Sequence, residues 1–92
     1  MIDGRHCTMD DYIFLNEKTN EIICYVSINK ISEVDYKISD FLHLVARFDR
    51  DIAGNMRTRL RNCRNELQVL EVINSSIDHL RHLVLVDINE HR

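Results

Sequence analysis

His79 and His82 stand one helical turn apart with Asp78 beside them, which makes them the nearest thing in this chain to a metal-ligand set. A protein-held zinc needs three or four such groups converging on one point. No further histidine or cysteine follows at a spacing that supplies them, so the pair reads as the polar face of a helix. His6-Cys7 sits in a stretch without periodicity and adds no ligand pattern. A nucleophilic Cys63 would need a histidine and an orienting carboxylate around it. It falls instead on the stripe Leu60, Cys63, Leu67, where a free cysteine serves as a small hydrophobe. Only Gly4 and Gly54 are present, and no phosphate-cradling loop or hydrolase motif occurs. The expectation is a protein that is not an enzyme, with no catalytic residue, no metal and no cofactor.

Charge is the remaining chemistry. Net charge is -3, which gives no global pull towards nucleic acid, but residues 47–64 carry six arginines against Asp49 and Asp51. On a helix turning about 100° per residue, Arg57, Arg61 and Arg64 share one flank beside Met56 and Leu60. Arginines spaced this way can track a phosphate backbone. They also pair with acidic groups on a protein, or lay their aliphatic stems along a core edge. Nothing aromatic is interleaved among them, so a solvated or partner-pairing role is preferred. A nucleic-acid-associated small regulator is the alternative.

These residues must be positioned by a small domain. Ninety-two residues make a single domain, 1–92, whose core is marginal without a supplement. Cys7, Cys24 and Cys63 are odd in number and widely spaced, which argues against disulfides and for a reducing, cytoplasmic compartment. No apolar run approaches a membrane span or a leader sequence. Residues 1–9 have no period and read as a loose arm. Residues 11–29 read as a β-hairpin: Tyr12-Ile13-Phe14-Leu15 and Ile22 to Ile28 are β-branched or aromatic runs around a polar segment, with Asn20 suited to its turn. That register puts Ile13, Leu15, Ile22, Cys24, Val26 and Ile28 on one face, and Tyr12, Phe14, Ile23 and Tyr25 on the other. Both faces are apolar, and two strands alone are not stable in water, so a partner is expected on the second face.

Helices follow. Ser32 and Asp35 have capping-box spacing, and Ile38, Phe41, Leu42, Val45, Phe48 and Ile52 recur at helical period, predicting a helix over 33–53 that stops at Gly54-Asn55. Residues 56–90 form one helix or two, with Asn74-Ser75-Ser76 as the candidate break and Ser75 and Asp78 as its cap. The fold class expected is α+β: an antiparallel hairpin followed by two or three amphipathic helices, assembled as a dimer.

The run Tyr12 to Ile28, then Ser32-Glu33-Val34-Asp35-Tyr36, then Phe41-Leu42-x-x-Val45-x-x-Phe48, resembles the C-terminal half of the type III secretion class I chaperones. In that family two late strands lead through an acidic loop into a long closing helix. The resemblance spans about half the chain and is one of pattern. It implies a reduced, cytosolic, non-enzymatic homodimer acting as a chaperone or adaptor of a bacterial secretion or virulence system. It also implies that Tyr12, Phe14, Ile23 and Tyr25 contact an effector or regulatory protein.

Overall fold

The computed structural model describes residues 1–28 and 34–91. Four helices make up nearly all of them: α1 (Met9–Ile28), α2 (Asp35–Phe48), α3 (Arg50–Arg61) and α4 (Glu66–Glu90). Among the described residues there is no sheet, only an isolated bridge between Ile2 and Arg5. The expected α+β class is therefore corrected to all-α, and the expected hairpin is α1. The segment carrying the chaperone resemblance is thus helical where the resemblance implies strands.

The start of α1 explains why. Thr8 and Asp11 form a capping box: the Asp11 N–H donates to Thr8 Oγ1 at 3.4 Å, and the Thr8 N–H donates to Asp11 Oδ2 at 2.8 Å. Two amides at the helix start are thereby satisfied reciprocally. From there Leu15, Thr19, Ile22 and Val26 are buried at helical spacing. Thr19 completes that stripe only because its hydroxyl donates to the Leu15 carbonyl at 2.7 Å, which lets a polar side chain sit fully buried. The segment expected as a turn contains Glu17, Lys18 and Glu21, all good helix formers. β-Propensity along the flanks loses to a capped start and a continuous buried stripe.

The later helices have the predicted apolar periodicity but different ends. Phe41, Leu42, Val45 and Phe48 of α2 are buried, as are Ile52, Ala53 and Met56 of α3. The break between them is Asp49, in extended conformation, whose Oδ1 accepts from the N–H groups of Asp51 and Ile52. Gly54 and Asn55 are inside α3 and stop nothing. Ser32 lies outside the described residues; Asp35 opens α2 behind Val34, which makes no side-chain cap. Asn65 caps α4 by accepting from the Gln68 N–H at 2.9 Å. The expected break at 74–76 is absent: α4 runs through it, with Ser76 buried and Ser75 Oγ donating to the Val72 carbonyl.

Each helix packs on its neighbours in sequence, and α4 closes the ring against α1. α1 and α4 are antiparallel, since Asn16 meets Arg81 while Cys7 meets Asp87. At 25 residues α4 is about 37 Å long, so it sets the 42 Å long axis. Val69, Ile73, Ile77, Leu80, Val84 and Ile88 line its buried side.

Of residues 1–9, expected as a loose arm, Met9 opens α1 and the eight before it lie against this bundle. Asp3 and Gly4 turn the chain with positive φ at both positions, as mirror-image tight turns require. The turn buries Ile2, at 2% exposure. It is tied to the end of α2 by Asp3, whose N–H donates to the Arg47 carbonyl and whose carboxylate takes Arg47 Nη2 at 2.6 Å. Arg5 grips Asp11 with two hydrogen bonds, of 2.7 and 2.8 Å.

Candidate functional site

The four residues expected to contact a partner divide into two pairs in a helix. Tyr12 and Ile23, three turns apart, lie on one flank of α1 and are half-buried against the core. Phe14 and Tyr25 lie on the opposite flank and line a groove between α1 and α2. The structure thus brings together Phe14 with Tyr25, not all four.

That groove has a volume of about 400 Å³. Ile22 and Leu44 contribute apolar surface at its base, and Phe41 closes it from α2. Its rim mixes charges: Lys18 and Glu21 from α1, Lys37 and Asp40 from α2. Lys18 Nζ sits 5.7 Å from the Phe14 ring centre and 3.3 Å from Glu21 Oε2. Lys37 Nζ sits 5.6 Å from the Tyr25 ring and 5.5 Å from that of Tyr36. The lysines therefore shield aromatic faces that would otherwise be open to water. Around the groove the outer surface of α1 also exposes Ile13 and, at 82%, Ile28.

The arginines are distributed differently from expectation. Arg57 and Arg61 are one turn apart on α3, but Arg64 follows the helix end and is not on its flank. All three are exposed, and among the described residues none is in an ion pair. Arg47, by contrast, is committed to Asp3, and Arg59 reaches Ser76.

A third place escaped the sequence reading. His6, Asp87 and His91 converge, with one ligand-type atom from each lying within 4.8 Å of the others. His6 Nδ1 is 3.3 Å and His91 Nε2 3.8 Å from Asp87 Oδ1, and the two imidazoles stack at 3.4 Å between ring centres. Asp87 Oδ2 accepts from the Cys7 N–H at 2.6 Å, which holds the Asp87 carboxyl down to about 2. Asp87 lies in the last turn of α4 and His91 is the residue that follows it, four positions on, a spacing that brings both to one side of the helix end. That half was legible; His6 arrives only through the docking of residues 1–8. The His79–His82 pair is exposed and gathers no third ligand among the described residues.

The cysteines also sort differently. Cys7 is buried and Cys24 exposed, with Cys63 between them. Burial pushes the thiols of Cys7 and Cys63 upward, away from the reactive thiolate.

No protein-family model, curated protein or solved structure matches this chain. No described helix is long and apolar enough to cross a membrane.

Proposed function

We propose that this chain is a helical protein-interaction module that docks a protein, in the simplest case a second copy of itself, on the α1–α2 groove and the adjoining outer face of α1. The groove carries the reading: an apolar strip edged by Phe14 and Tyr25, with Ile28 lining a shallow depression next to Tyr25 and Ile13 exposed on the same helix. Its rim bears two lysines and two acidic residues side by side. A twofold-related copy can set Lys18 and Lys37 against Glu21 and Asp40, which is the self-complementarity an isologous dimer needs.

Light scattering on a size-exclusion column tests it across a concentration series. Mass rising towards twice that of the chain is expected, with Phe14→Glu and Ile13→Glu shifting the protein back to monomer at unchanged helix content. Wild-type protein that stays monomeric throughout, or variants that associate as well as it does, would remove this surface as the interface.

A second reading rests on Arg57, Arg61 and Arg64, three exposed guanidinium groups that are in no ion pair among the described residues. It makes the protein a nucleic-acid-associated regulator. Binding should then fall steeply with salt and vanish on charge reversal at those positions. A mobility-shift assay that shows no complex at low salt would rule it out.

A further inference from the structure

We propose that His6, Asp87 and His91 form a binding site for a divalent transition cation of the zinc type, fastening the N-terminal segment to the C-terminal end of α4. Two imidazoles and one carboxylate suit zinc, cobalt or nickel; calcium and magnesium prefer oxygen alone. In a tetrahedral zinc site with bonds of about 2.0–2.1 Å, ligand atoms stand roughly 3.3 Å apart. His6 Nδ1 and Asp87 Oδ1 already have that separation, at 3.3 Å, and His91 Nε2 is 3.8 Å from the same oxygen. Closing the remaining gap takes rotation of the two exposed histidine side chains out of their mutual stack.

The supports of the site are arranged for this. Asp87 is held from its other oxygen by the Cys7 N–H, leaving Oδ1 to face both rings. Such an outer hydrogen bond fixes a ligating carboxylate. His6 is presented by a segment anchored on either side of it, by Arg5 on Asp11 and by Cys7 on Asp87. The last turn of α4 carries no basic side chain; the Met1 ammonium, 3.6 Å from Asp87 Oδ2, already places one positive charge at this negative helix end, on the oxygen turned away from the two rings. Three protein ligands leave the fourth position to water.

The test is calorimetric titration of the full chain with zinc chloride alone, alongside thermal unfolding. One zinc per chain is expected, with a rise in Tm of about 5 °C or more at saturation. His6→Ala and His91→Ala should each weaken binding at least tenfold and abolish the Tm rise, while circular dichroism shows the helices intact. The double variant His79→Ala/His82→Ala and the single variant Cys24→Ser should bind as the wild type does. The site is refuted if no saturable binding occurs below about 1 mM zinc. It is equally refuted if affinity survives in His6→Ala and His91→Ala, or is lost instead in either control.

Discussion

Asp11 occupies three partners at once: the Thr8 N–H, the Thr8 hydroxyl and both terminal nitrogens of Arg5. The Arg5 guanidinium, helped by the Thr8 amide, holds its carboxyl well below the usual aspartate range. A carboxyl lowered in the folded state binds fewer protons there than in the unfolded chain, so it stabilises the fold fully above the ordinary aspartate value. That contribution disappears as pH falls towards the folded value. Asp87 acts in the same direction. Urea unfolding of Asp11→Asn at neutral pH should show a loss of about 1 kcal/mol, the worth of a helix cap. Between about pH 5 and pH 2 the variant should lose stability less steeply than the wild type, because this linkage is gone. Parallel curves would show that Asp11 is not the group responsible. The spacing Thr8-x-x-Asp11 is itself a sequence signal for a helix start, as Asp3-Gly4 is for a tight turn. Both were legible; Asp3-Gly4 sits in the stretch read as a loose arm, and Thr8-x-x-Asp11 bridges from that arm into the segment read as a hairpin. What misled was the β-rich run behind them, together with Thr19, whose burial depends on a hydroxyl-to-carbonyl bond that no hydropathy pattern registers.

At the scale of elements, apolar period marked residues 33–90 as helical but divided them wrongly, joining α2 to the start of α3 and the rest of α3 to α4. Gly54 and Asn74-Ser75-Ser76 look like punctuation in the sequence, yet α3 and α4 pass straight through them. The working stops are Asp49 and Asn65, single side chains that accept amides from the turn ahead. Composition alone does not separate a capping aspartate from a solvated one; the backbone must already have turned. Two substitutions separate the alternatives. Gly54 is in helical conformation and an added Cβ meets no atom within 4 Å, so Gly54→Ala should stabilise the protein by about 0.5–1 kcal/mol. Asp49→Ala should destabilise it by about 1–2 kcal/mol. Thermal or urea melts of the two read both effects, and a destabilised Gly54→Ala would restore that glycine as a helix end. The groove follows from the same level of organisation. Phe14 and Tyr25 line the same groove without Tyr12 and Ile23 because α1 is a helix, whereas as a hairpin all four would have shared a face.

For the molecule as a whole, the ring α1–α2–α3–α4 is held at one end by the segment before α1, through Asp3 to α2, Arg5 to the head of α1, and Cys7 to the tail of α4. Nothing in a single sequence announces these ties, because each joins positions whose proximity exists only once the helices have packed. The covering expected for an apolar hairpin is largely supplied within the chain, by α2 and α4. Within the segment read as a hairpin, the large apolar residues left exposed are Ile13, Phe14 and Ile28; others, among them Leu67, Leu83 and Val86, are spread along α4.

The Cys7–Asp87 bond spans nearly the full length of the chain, and this gives one amide an unusual use as a clock. A contact between such distant positions can form only after intervening helices have shortened the loop it closes, since the entropy of closure must be met first. Its N–H lies in the strap at one end of the bundle, outside any helix, whereas the amides at the centre of α4 are held in a continuous helical ladder. In native-state hydrogen exchange, the Cys7 amide should open with a lower free energy than amides of Ile77 or Leu80, and should be among the last to gain protection on refolding. Equal protection at all three would mean that the strap and the bundle come together, and come apart, as one.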